Sequence, residues 1–139
     1  MQICKPVDNA FIFRGFIPYN SANPNLYHGG LDIDGNDSRI PYSVFCSKSG
    51  IIAYICTDIK STFGLWLAVR LPDNYYSIYA HLNEIYSELY VNNKIDSGSL
   101  IGIMGSTGLS TGRHLHYEER PLLSRCIARN PTDVAALYL

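Results

Sequence analysis

Apolar positions along the chain fall in short runs, each broken by Gly, Asn, Asp, Ser or Pro, and that rhythm predicts strands and turns. Residues 11–17 read as a first strand, 18–27 as a loop rich in proline and asparagine, 31–34 as a short extended piece and 35–41 as a second polar loop. Residues 44–46 and 50–57 read as a strand pair joined through Ser47, Lys48 and Ser49. The strongly apolar stretch 64–71 predicts a central strand. Pro72, Asp73 and Asn74 supply turn chemistry, and 75–81 is the antiparallel partner. Residues 83–90 predict a short helix: Asn83 suits the N-cap, Glu84 the first turn, and Ile85 and Leu89 share a face. Asn92 and Asn93 read as a tight turn, and 100–104 and 114–118 as two strands around a Gly/Ser/Thr loop. Asn130 as N-cap, Pro131 at the first position and Asp133 in the first turn predict a closing helix over 132–138, about two turns long. The expected fold is all-β, mainly antiparallel, with one or two short helices, in a single domain over residues 1–139.

Composition narrows the class. With 47% hydrophobic and 17% charged residues over 139 positions, the chain has enough apolar surface to bury a core, so intrinsic disorder is excluded. Its 11 basic and 12 acidic residues leave a net charge of −1, without the basic stripe a nucleic-acid binder needs. No apolar run approaches the roughly 18 residues of a membrane span, and the first residues lack the long apolar stretch of a signal peptide. Aromatic residues, 11 of them tyrosine, favour strands. Cys4, Cys46, Cys56 and Cys126 form no Cys-x-x-Cys pair, which argues against a cysteine zinc site or a redox pair. They are expected mostly as small buried hydrophobes; Cys46–Cys56 or Cys4–Cys126 are the disulfides to consider.

The candidate chemistry lies in the 4 histidines. On a strand, His114 and His116 would point to one face, with Leu115 on the other. His28 and Asp32 flank Gly29 and Gly30. A straight strand would hold them roughly 13 Å apart, but a bend at the glycines would aim both at one point. His81 closes the run Tyr79-Ala80-His81-Leu82. Each feature alone has a plain structural explanation. Together, two histidines and a carboxylate make a familiar catalytic zinc set, with further histidines left for proton work. The stretch from Gly105 to Gly112 invites a phosphate-loop reading, but it contains no lysine and neither glycine signature of nucleotide sites.

In combination, HGGLD at 28–32, YAHL at 79–82 and GSTGLSTGRHLHYE at 105–118 resemble the lysostaphin-type zinc endopeptidases of bacterial peptidoglycan, which share the duplicated hybrid motif fold. The resemblance covers the chain from Phe11 to its end. It implies that His28, Asp32 and His116 hold one zinc ion. It also implies that His114 is the general base and that His81 stabilises the tetrahedral intermediate or shares the proton work. Tyr79, Ser110, Thr111 and Arg113 are groove candidates. Arg113 stands where the family has a small residue or proline, and is open to two readings: a substrate carboxylate contact or simple exposure. Glu118 and Glu119 read as strand-end charges. Residues 83–90 look like a short insertion.

The expected function is hydrolysis of peptidoglycan cross-links or stem peptides, with no nucleic-acid partner, in the bacterial cell envelope and as a monomer. The rivals are a non-enzymatic wall- or partner-binding module of the same fold, a zinc amidase or carboxypeptidase, and a structural zinc protein. All five site positions are intact, which disfavours the first; the spare histidines disfavour the last.

Overall fold

The computed structural model describes residues 2–124 and 126–139. Nine strands form one antiparallel sheet: β1 (Ala10–Arg14), β2 (Gly30–Gly35), β3 (Ser43–Phe45), β4 (Gly50–Cys56), β5 (Leu65–Arg70), β6 (Tyr76–Ile85), β7 (Lys94–Ile95), β8 (Leu100–Met104) and β9 (Leu115–Arg120). A 3₁₀ turn at Pro24–Leu26 and one helix, α1 (Thr132–Ala136), complete the described elements. The strands run in the order β1-β2-β9-β6-β5-β4-β7, while β8 pairs with both β3 and β6. The all-β expectation holds.

Alternation builds the core. Leu31 and Ile33 of β2, and Leu115 and Tyr117 of β9, point to one face and are essentially inaccessible to solvent. They pack with Val44, Ile52, Leu67 and Ile101. Each such side chain contributes about 1.5–3 kcal/mol by leaving water. The residues between them, Asp32 and His116, face the other way. There the sheet carries a second, smaller apolar patch of Ala68, Ile78 and Ala80, against Phe63 and Trp66.

The long strand β6 positions the site. Its first half pairs with β9 through Ala80, opposite His116; its second half pairs with β8 from Leu82 onward. His81 stands at the change of partner with φ 63°, a left-handed conformation uncommon outside glycine and asparagine. Its backbone N–H leaves the ladder and donates to the carbonyl of Phe63 at 2.8 Å.

Several expectations need correction. Residues 83–90 form no helix: Glu84 and Ile85 continue β6 against Ile103 and Gly102, and a turn follows. An eight-residue helix is marginal by itself, so an available sheet edge wins. Residues 44–46 and 50–57 are not a hairpin. β3 pairs with β8, and β4 pairs with β5 and β7. The connection between them is drawn inward, with the Ser47 N–H donating to the Tyr79 hydroxyl at 2.7 Å and the Lys48 ammonium buried against Glu119. β1 ends at Arg14; Ile17 makes only an isolated bridge to His28. α1 has Pro131, not Asn130, at its N-cap, makes no side-chain capping bond, and ends at Ala136. All four cysteines are free thiols, so neither disulfide forms. Burial pushes the Cys46 thiol up to about 11, which outweighs its hydrogen bonds with Tyr79 and Lys48.

Candidate metal centre and its groove

The register of β2 against β9 sets Asp32 directly opposite His116. Cross-strand neighbours lie within side-chain reach, and the Asp32 Oδ1 is 3.0 Å from the His116 Nδ1. His28, just before β2, brings its Nε2 to 3.0 Å from the other Asp32 oxygen. The chain reaches this geometry by approaching β9 closely at Gly30: a Cβ there would lie 2.3 Å from the Tyr117 carbonyl. His28 and Asp32 thus converge, as expected from the sequence. His28, Asp32 and His116 are all buried, and their ligand atoms lie within 4.8 Å of one another. Two imidazoles and one carboxylate are a donor set that suits a catalytic zinc with an open coordination position.

Hydrogen bonds orient each ring. The Nδ1 atoms of His28, His81 and His114 lie 2.8, 2.7 and 2.8 Å from the carbonyls of Gly15, Thr107 and Gly112. A carbonyl only accepts, so each Nδ1 carries a proton and each Nε2 points into the site, that of His28 toward the Asp32 carboxylate. His116 is turned the other way, with its Nε2 donating to Glu118 at 2.8 Å and its Nδ1 facing Asp32. A metal ligand whose other nitrogen donates to a carboxylate is held in tautomer and orientation. The ring of His114 lies 5.0 Å from that of His81, and its Nε2 is 3.5 Å from Asp32.

The charges follow from this packing. Burial works to raise the Asp32 carboxyl, but hydrogen bonds and charge from His116 and His28 outweigh it and hold the group well below the usual range. Burial alone would lower His116; the carboxylates of Asp32 and Glu118 overcome it and raise the metal-free ring to about 9. A proton there occupies the place that a bound cation would take. His81 is lowered, chiefly by burial, with its bond to Thr107 opposing and the neighbouring His114 and His116 assisting.

A cavity of about 330 Å³ is lined by all five of these residues and by Ser110 and Thr111. The other two groove candidates lie outside this cavity, Tyr79 in the core and Arg113 on the wall of the neighbouring one. Tyr79 is fully buried in the core, 5.2 Å from the Tyr117 ring. On a regular strand it would share a face with His81; the left-handed turn at His81 breaks that alternation. Arg113 is neither free for a carboxylate here nor simply solvated. Its guanidinium donates to the carbonyls of Ile40 and Asp37 and stacks 5.2 Å from the Tyr42 ring. Glu118 and Glu119 are not strand-end charges but buried groups, Glu118 on His116 and Glu119 between Lys48 and Arg129. Glu118 was detectable from alternation, since it lies two residues beyond His116 on the same face of β9. Phe63, 5.7 Å from the His116 ring, and Thr107 carry no such signal, because loops bring them in.

Residues 26–131, which include all five site positions, match the model of peptidase family M23. The chain belongs to that family. It is 38% identical over 93 residues to the DD-carboxypeptidase/endopeptidase Mpg of Neisseria meningitidis, covering 67% of this chain and 20% of the relative. To the peptidoglycan DD-endopeptidase ShyA of Vibrio cholerae it is 31% identical over 87 residues, covering 61% of this chain and 19% of the relative. The chain therefore spans about a fifth of the length of these curated relatives. Its fold superposes on the catalytic domain of the antimicrobial peptidase lysostaphin from Staphylococcus simulans with a TM-score of 0.74 and 26% identity, over 93% of this chain and 94% of that one.

Proposed function

We propose that this chain is a zinc-dependent endopeptidase that hydrolyses peptide bonds of bacterial peptidoglycan. The observation that carries the reading is the cluster itself: three ligand atoms within 4.8 Å of one another, with two more imidazoles lining the same cavity. The names of the relatives, which include a peptidoglycan DD-endopeptidase, supply the substrate class. Such a substrate places the action in the cell envelope. Among the described residues no helix is long and apolar enough to cross a membrane.

In this reading His28 through Nε2, Asp32 through its carboxylate and His116 through Nδ1 hold the metal. A bound zinc would supply Lewis acidity, polarising a water and the scissile carbonyl. His114 has the geometry of a general base. With its Nδ1 proton held by Gly112, its free Nε2 takes the proton of the attacking water and returns it to the leaving amine. His81, oriented the same way by Thr107, shares the proton work. When His81 rather than His114 takes the proton that the water gives up, its Nε2 donates it in a hydrogen bond to the carbonyl oxygen as that atom gains charge. Glu118 keeps the His116 ring aimed.

Digestion of purified peptidoglycan by the zinc-loaded protein should release new free amines, with the cut bond identified by mass spectrometry. His114→Ala should lower turnover by at least about a hundredfold while the zinc content stays near one per chain. Full activity in that variant overturns the role given to His114. The word carboxypeptidase in the name of the Neisseria relative favours a second reading, removal of a terminal residue by the same centre; the released fragments distinguish the two.

A further inference from the structure

Two cavities meet at the candidate centre. The first is the 330 Å³ cavity of the histidines; the second, of about 590 Å³, is lined by Phe11, Phe13, Asp34 and Ser38 among others. Arg14, Asp32, Thr111 and His114 border both, so the cavities form two arms of one groove that join at Asp32 and His114.

The register of β1 explains how an arginine arrives there. Ile12 pairs with Ile33, but Arg14 pairs with Asp32, so β1 carries one extra residue, Phe13, at that point. A bulge of this kind brings two consecutive side chains toward the same face. Phe13 meets the edge of His114 at 5.7 Å, and Arg14 shares the face of Asp32.

The charge balance along the groove singles out Arg14. Asp32 is occupied by the histidines, Arg113 by the carbonyls of the 37–40 loop, and Asp34 by the N–H of Gly35. Arg14 is exposed, and among the described residues its guanidinium has no ion-pair or hydrogen-bond partner. A fixed positive charge beside a site suited to a divalent cation opposes metal binding, and among the described residues no carboxylate pairs directly with it. Arg14 also lies outside the stretch that matches the family model.

We infer that Arg14 is a carboxylate subsite, and that the preferred substrate is a peptide carrying a free carboxylate on a residue next to the scissile bond. The inference rests on the peptidase reading above. A guanidinium takes a carboxylate in a two-pronged, charge-assisted contact. The aromatic side chains of Phe11 and Phe13 form the apolar wall of the same arm. Neutral peptides such as glycine bridges would gain nothing from Arg14.

The test uses two synthetic wall peptides that differ only in ending in a free carboxylate or a carboxamide. The zinc-loaded protein should cleave the acid about ten- to a hundredfold more efficiently in kcat/KM, and the preference should shrink as ionic strength rises. Arg14→Gln should collapse the ratio toward one, with Arg14→Lys in between. Metal content and melting temperature of each variant control for folding. Binding of both peptides to the metal-free protein gives a readout independent of turnover, and there too the acid should bind more tightly only when Arg14 is present. Equal handling of acid and amide by the unaltered protein, or a preference that survives Arg14→Gln, overturns the subsite. Arg14-dependent binding without cleavage of either peptide leaves the subsite standing and overturns the peptidase reading.

Discussion

His116 is the residue on which opposing forces are most evenly matched. Burial disfavours its charge, two carboxylates favour it, and the carboxylates win, so its metal-free pKa of about 9 lies above the ordinary value of 6.5. A raised histidine contributes stability that is complete below its unfolded pKa and lost as pH rises through its folded pKa. The metal-free protein should therefore lose thermal stability between about pH 6.5 and 9. Metal competes for the same nitrogen, so metal affinity should rise over the same interval. Melting curves of the metal-free and zinc-loaded protein across that range check the claim: the gap between them should widen with pH, and a gap that narrows contradicts it. At this scale the sequence was highly legible. Alternation put His114 and His116 on one face, and the family resemblance singled out His28, Asp32 and His116 as ligands with His81 and His114 beside them. Tyr79 was misplaced because alternation presumes a regular strand, and nothing local to Tyr79 announces the left-handed backbone two residues later.

Strands were legible where their apolar runs were long, as in β5 and β6, and less so where pairing decided the outcome. Residues 83–90 have respectable helical signals, yet Glu84 and Ile85 lie against β8, a strand some 17 residues further along the chain. The apparent hairpin around Ser47 to Ser49 failed for the same reason: both strands prefer partners distant in sequence. Close approach between β2 and β9 is the element-scale condition for the site. Gly30→Ala would put a methyl group 2.3 Å from the Tyr117 carbonyl, and backbone must move to admit it. We expect a loss of about 2 kcal/mol in chemical denaturation, together with weakened metal binding, because the displaced strands separate Asp32 from His116. Unchanged metal affinity would mean that the pair tolerates the shift.

For the whole molecule, a second set of charges on the far side of β9 fastens the C-terminal segment to the sheet. The Lys48 ammonium, almost fully buried, lies 2.9 Å from Glu119 and 2.8 Å from Asp133 of α1, and Arg129 joins Glu119 to Asp73. The Tyr138 hydroxyl donates to the Val7 carbonyl, which ties the segment after α1 to the one before β1. Burial opposes the charge of Asp133, but Lys48 overrides it and lowers the carboxyl. A lowered carboxylate contributes stability above its unfolded pKa and loses it as pH falls through the folded value. The fastening should hold at neutral pH and weaken only below about pH 4. Lys48→Met should cost about 3 kcal/mol at neutral pH, since it leaves Glu119 buried with one cation fewer, and should flatten the acid dependence. Urea titrations at neutral and acid pH measure both effects. None of this was visible in the sequence, where Lys48 looked like a turn residue and Glu119 like a strand end.

The three imidazoles anchored by Gly15, Thr107 and Gly112, and the one anchored by Glu118, hold their inward nitrogens in fixed directions before any ligand arrives. A lining of this kind does not recognise zinc as such. It ranks divalent metals by their affinity for nitrogen, and copper stands above zinc on that scale. Which ion fills the centre is then a matter of supply: the same protein folded among different metal pools would leave with different chemistry.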